Sequence, residues 1–300
     1  MKQEANREPE KVPDSEEKPS ELFQPQASAS DNRKAPVTPA PEEATKTKNK
    51  EAVPRPASQP DEAPKAPADE TERTELPAQS PKPSPQASPS HETWNALLQK
   101  YVSSTGKVNY KGMMADKAKL KDYLDELAAN PPAKTWSREE KLAYWINAYN
   151  AFTIKLILDH YPLSSIMDIN NGKAWDIQWI RLGDKTYSLN NIENDIIRPR
   201  FNEPRIHFAI NCAARSCPPL LNQAWEAENL NRLLDQQARS FINNPKYNSI
   251  SPKAVEISRI FEWYAADFGN IIDYLNQYSD TLINKGAKAN YREYDWSLND

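Results

Sequence analysis

The sequence predicts an α+β fold, mostly helical with a small β-sheet, as a single domain behind a disordered Pro-rich segment. Three observations carry that prediction. Residues 1–90 hold 17 of the 26 prolines, no glycine and one aromatic residue, Phe23. All 8 tryptophans and both cysteines fall in residues 91–300. Within that second part, apolar residues recur mainly at helical spacing, with only short alternating stretches.

The first 90 residues are Pro, Ala, Ser, Glu, Lys and Gln with both charge signs mixed. Such a chain buries too little apolar area to offset about 1–2 kcal/mol per residue of backbone ordering entropy. It reads as a tether of about 55 Å root-mean-square reach. Residues 1–90 carry 13 basic and 17 acidic side chains, so the net charge of −4 resides there and residues 91–300 are formally neutral. No basic excess argues for nucleic-acid binding, and no apolar run of about 18 residues argues for a transmembrane segment. Met1–Asn6 opens no apolar run, so the chain as written shows no signal peptide. Spacers of this composition often join an envelope anchor to a folded domain, and a leader ahead of this sequence would place the domain in the cell envelope.

The elements follow in order. Trp94, Leu97, Leu98 and Tyr101 define a first helix, and Val108–Tyr110 a short extended stretch. Leu120, Tyr123, Leu124 and Leu127 define a second helix, stopped at Asn130-Pro131-Pro132. Ser137 and Glu140 form a capping box for a third. That helix is apolar nearly all round from Leu142 to Leu158, the mark of a buried central helix, and Tyr161-Pro162 ends it. Trp175 to Leu182 suggests a hairpin turning at Gly183-Asp184. Ser188 caps a short helix that Pro199 should stop. Ile206, Phe208 and Ile210 alternate with His207, Ala209 and Asn211, which reads as a strand to Cys212. Helices are expected near Leu220–Ala224, Glu228–Phe241, Arg259–Phe268 and Asn270–Leu282. A strand is expected at Ala254–Ile257, and a final strand or arm at Tyr291–Trp296.

The chemistry-bearing residues gather around Arg205–Pro219. Pro218 suits the first position of a helix, which would set Cys217 at its N-cap, where unpaired amides and the helix dipole favour a thiolate. Of three histidines, His207 is the best placed to act as base. In a regular strand His207 and Cys212 face opposite sides. His207 and Cys217 meet only if about 16 Å of strand is retraced by five nearly extended residues. Cys212 also reads as an inert core thiol, and Cys217 as a packing residue or the partner of Cys212 in a disulfide closing a small loop. Asn147 and Asn150, three apart on the buried helix, read as brackets for a loop backbone, or as groups that orient a catalytic side chain or bind an oxyanion. Glu193 reads as the orienter of His207, or, with Arg198 on the same short helix, as surface charge or part of an internal ion pair. No metal is expected: His207, Cys212 and Cys217 lack a fourth ligand and a Cys-x-x-Cys pairing. No cofactor is expected either, since six scattered glycines form no phosphate-cradling loop.

Taken together, Tyr144–Ala151, Ser188–Glu193, Pro204–Cys212, Ser216–Leu220, Ile260–Tyr264, Asp267-Phe268 and Tyr294–Asn299 resemble the family called domain of unknown function 547. The resemblance spans roughly Trp94 to Asp300. It implies no agreed activity. Many bacterial members are exported, and many carry His after the motif glutamate, where this chain has Asn194, a residue that cannot carry a proton.

The functional expectation is a non-catalytic binding or scaffold module on a tether, with an unidentified protein or peptide partner. The alternative is a thiol-dependent hydrolase or acyl-transferase: Cys217 as nucleophile, His207 as base, Glu193 as orienter, and Asn147 or Asn150 at the oxyanion. A thiol-redox role for Cys212 and Cys217 is the weaker third.

Overall fold

The computed structural model describes residues 87–300. The expected tether therefore lies, up to residue 86, outside the described residues. The described part is α+β and mainly helical.

Helix α1 (Glu92–Tyr101) buries Trp94, Leu97, Leu98 and Tyr101. Trp94 stacks on Tyr123 at 5.8 Å between centroids. His91, just ahead of α1, is buried, and its Nδ1 lies 2.8 Å from the Tyr123 hydroxyl. It belongs to the folded domain. In place of the extended stretch at Val108–Tyr110, Val108 makes one bridge to Val102 and Asn109 caps the turn α2 (Tyr110–Met113). Helix α3 (Lys117–Ala129) follows, burying the four apolar residues its spacing indicated.

Helix α4 (Arg138–His160) is the centre of the domain. Its capping box is complete: the Glu140 amide donates to Ser137 Oγ at 3.0 Å, and the Ser137 amide donates to Glu140 Oε2 at 2.6 Å. All residues from Leu142 to Ile154 are buried, so no face is left for water. Such a helix must satisfy its polar side chains internally. Asn147 does so by bracketing Trp225, with Nδ2 donating to the Trp225 carbonyl at 2.7 Å and Oδ1 accepting from its amide at 3.0 Å.

A two-stranded hairpin pairs β1 (Ile180–Leu182) with β2 (Lys185–Tyr187) around Gly183, whose φ of +59° a side-chain-bearing residue rarely adopts. Trp175 stands apart from it in a 3-10 turn, Ala174–Asp176. The second sheet joins β3 (Ser249–Ile250) antiparallel to β4 (Ala254–Ile257), and β4 parallel to β5 (Lys288–Tyr291). Strand β4 has the bounds its sequence suggested.

Four expectations fail for local reasons. Pro199 does not end the short helix: a wide π-helical turn over Asn191–Ile197 runs into α5 (Arg198–Phe201), leaving Pro199 in a first turn that needs no amide from it. Leu220–Ala224 is not helical, because Asn95 Oδ1 and Asn147 Oδ1 take the amides of Ala224 and Trp225. The helix expected over Arg259–Phe268 breaks at Tyr264 into α7 (Ile260–Trp263) and α8 (Ala265–Phe268). After α6 (Leu230–Ile242), helix α9 (Ile271–Leu275) stops short, as the Asn276 side chain captures both the amide and the carbonyl of Ile283.

A further difference bears on function. Pro204–Phe208 is a 3-10 helix, not a strand, begun by Pro204 and capped by Glu203, whose carboxylate accepts from the Arg205 amide. Alternation misled because Ile206 through Asn211 are all buried, His207 and Asn211 included. The segment runs between two apolar clusters: Ile206, Ala209 and Ile210 belong to the cluster around α4, and Phe208 to the one formed with α6–α9 and β4.

Candidate functional site

A narrow cleft of about 50 Å³ opens where these clusters meet. Its walls are Tyr149 of α4, Trp175, Glu193 of the π-helical turn, His207, both cysteines, and the aromatic residues Trp263, Tyr264, Tyr294 and Trp296. Glu193, His207, Cys212 and Cys217, the four candidate residues from the 188–193 and 205–219 motifs, thus converge, and the C-terminal arm closes the side. That arm is held by bridges Ser165–Ser297 and Ala214–Leu298.

The loop after the 3-10 helix is set by Asn150 and Asn211. Asn150 Nδ2 donates to the Ala209 carbonyl at 2.9 Å and its Oδ1 accepts from the Asn211 amide at 2.8 Å. Asn211 Nδ2 donates to the Pro218 carbonyl, and its Oδ1 accepts from the Ala213 amide. Ala213 takes φ +63°, and the chain turns back there. The return needs no retraced strand, because the 3-10 helix is shorter per residue than extended chain. His207 and Cys212 therefore line the same cleft despite their five-residue separation. Asn147 and Asn150 are committed to backbone brackets and do not line it.

Cys212 and Cys217 form a disulfide with a Cα–Cα distance of 6.1 Å, within the usual span. Residues 217–221 are non-helical, so Cys217 is not a helix N-cap; its amide donates to the Ala214 carbonyl in a turn. The Tyr294 hydroxyl lies 3.2 Å from Cys212 Sγ.

His207 is oriented by Asp267, not by Glu193. Its Nε2 stands 2.7 Å from Asp267 Oδ2, and its ring stacks on Tyr264 at 3.9 Å with Phe268 at 5.4 Å. Burial lowers the pKa of His207, with the Asp267 hydrogen bond opposing it, so the ring is neutral near pH 7. A neutral ring that donates Nε2–H to a carboxylate leaves Nδ1 as an acceptor. That atom is buried with no hydrogen-bond partner. Arg198 grips Asp267 from the other side, Nε and Nη2 donating at 2.6 and 2.9 Å. Burial works to raise the Asp267 carboxyl, but the hydrogen bonds from His207 and Arg198 outweigh it and hold it well below the usual range. Asn194 accepts from Arg198 Nη1 at 2.8 Å, so it supports the ion pair.

Glu193 is only 4% exposed, and its Oε1 has no hydrogen-bond partner. Burial first, then the Glu193 charge and hydrogen bonding, push the hydroxyls of Tyr149 and Tyr264 well above the usual tyrosine range. Both stay protonated. Among the described residues no group of three His, Cys, Asp or Glu could hold a metal, and no helix is long and apolar enough to cross a membrane.

The residues missed from sequence are Asp267 as the histidine's partner, and Tyr149, Tyr264, Trp263, Tyr294 and Trp296 as cleft walls. Each sits in a motif already noted. What was lacking was any rule assigning an aspartate sixty residues away to that imidazole.

Fold and site define a helical α+β domain with an aromatic cleft set over a buried histidine paired with a half-buried aspartate, and a disulfide. Residues 133–242 match the family model described as Protein of unknown function, DUF547, the family the sequence resembles. That stretch includes Asn147, Tyr149, Asn150, Trp175, Glu193, His207, Cys212 and Cys217, and ends before Asp267 and the walls Trp263, Tyr264, Tyr294 and Trp296. No curated protein and no solved structure matches the chain.

Proposed function

We propose that the domain is a non-catalytic binding module and that its ligand seat is this aromatic cleft. One observation carries the reading: Glu193 Oε1 and His207 Nδ1, two buried acceptors of cleft-lining residues, are left without a hydrogen bond, the Tyr149 and Tyr264 hydroxyls that approach Glu193 not satisfying its Oε1. Leaving a buried polar group unpaired costs about 1–3 kcal/mol, a cost that a ligand bringing donors removes. Aromatic side chains around a few placed polar groups are the usual make-up of small-group pockets. The bonded sulfurs support binding over nucleophilic chemistry, since attack needs a thiolate.

The test is a fragment screen by saturation-transfer NMR on the full chain. The reading expects bound fragments whose signals vanish with Trp263→Ala. A screen without binders to the wild type rejects it.

A second reading rests on Glu193, His207 and Cys217 lining one cleft. After reduction of the disulfide, Cys217 would attack a carbonyl carbon, pass its proton to His207 Nδ1, form an acyl–sulfur bond and expel the leaving group, with Asp267 orienting the ring. Reduced protein should then label with iodoacetamide at Cys217 as fast at pH 6 as at about pH 8.5; a rate following an ordinary thiol ends this reading. A redox role for the pair requires a potential above about −300 mV, the range of structural bridges lying below it.

A further inference from the structure

We propose that the cleft recognises a primary ammonium group on an alkyl stem, an inference that rests on the binding reading above. The two buried polar atoms of its lining residues that lack a hydrogen bond, Glu193 Oε1 and His207 Nδ1, are both acceptors. The ligand must therefore bring donors, and an ammonium brings three. Glu193 is the one carboxylate of the lining, and no Lys or Arg lines the cleft. The nearest guanidinium, Arg198, is engaged by Asp267 and Asn194. A carboxyl group with no Lys or Arg hydrogen-bonded to it favours a cationic donor over an anion, since an ammonium both donates to it and balances its charge.

The walls suit the same charge. Trp263 and Trp296 stack at 5.7 Å, and Tyr294 packs against both at 4.8 and 4.6 Å. Trp175 meets Trp296 edge-on at 5.8 Å. Ring faces carry negative potential and hold cations within about 6 Å. The cleft, about 50 Å³, is narrow, which favours an aminoalkyl terminus such as a lysine-like side chain or a free alkylamine.

The experiment titrates the full chain with n-butylammonium, n-butanol, butyrate and butyltrimethylammonium at pH 7.5, read by calorimetry and by tryptophan fluorescence. The proposal expects n-butylammonium to bind at least tenfold more tightly than n-butanol, butyrate not to bind, and butyltrimethylammonium, which has no N–H donor, to bind more weakly than n-butylammonium. Glu193→Gln should remove the tenfold preference for the amine over the alcohol. The probe series keeps the test valid if that variant does not fold. Butanol binding as tightly as the amine, or any preference for butyrate, overturns the ammonium assignment while leaving the cleft as a binding seat. Absence of binding by all four also overturns it; joined to an empty fragment screen, it removes the binding reading as well.

Discussion

Asp267 Oδ2 and His207 Nε2 stand 2.7 Å apart although sixty residues separate them in the chain. The contact fixes the ring's tautomer, draws α8 onto the 3-10 helix, and ties Arg198 into the same unit. Removing the carboxylate leaves a buried Nε2–H and a half-buried guanidinium unpaired. Asp267→Ala should therefore destabilise the domain by about 2 kcal/mol or more, measured as a fall in the urea midpoint at unchanged slope. A loss below about 0.5 kcal/mol would show that the pair does not hold these elements together.

The histidines predict a pH dependence of stability. Burial lowers His91 from 6.5 to about 4, and burial also lowers His207. Below pH 6.5 the unfolded chain binds protons that the folded histidines refuse, so stability falls as pH drops. The His91 contribution, about 3 kcal/mol at most, is present above pH 6.5 and lost between 6.5 and about 4. Urea titrations between pH 7.5 and 5 should show the decline, and His91→Gln should flatten it.

Asn147 and Asn150 should behave alike in stability and differently in the cleft. Each brackets an amide and a carbonyl of a distant loop. Truncation to Ala strands two buried groups, so a loss of about 2–4 kcal/mol is expected for either. Asn150 holds the residues leading to Cys212, whereas Asn147 holds Trp225. Only Asn150→Ala should alter the fluorescence of the tryptophans lining the cleft. An equal change in both variants would contradict this division.

Gly106 sits at φ +77°, and a Cβ there would lie 2.5 Å from Pro219 Cβ and 2.6 Å from Pro219 Cα. Gly106→Ala should cost about 1–3 kcal/mol, since backbone cannot yield as a side-chain tip does. A neutral thermal midpoint would show that the Cys217–Pro219 segment moves freely.

The Cys212–Cys217 bridge closes a loop of only a few residues, so it constrains the unfolded chain by about 2 kcal/mol. The Cys212→Ser, Cys217→Ser double variant should fold with a loss of that size or less. Alkylation in denaturant should label no cysteine in the untreated protein and two after reduction, read by mass. Two labels without reductant would refute the bridge.

Helix α4, its capping box, α1, α3 and the β1–β2 hairpin were legible because their determinants are local. A 3.6-residue period, a Ser and a Glu three apart, and a Gly at a turn act within a few residues of chain. The segment 204–212 was not legible for the converse reason: Ile206 through Asn211 are all buried, so alternation does not report which face meets water. Sequence alone thus established the helical α+β class, the compositional break near residue 90, and the motifs from which Glu193, His207 and Cys217 come. Tertiary structure decided which of these meet. It paired His207 with Asp267, bonded Cys212 to Cys217, spent Asn147 and Asn150 on backbone, and walled the cleft with aromatic rings from four distant segments. Such pairings depend on chain closure over tens of residues, where the free energy is set by mutual packing and desolvation, and no local pattern records which partners win.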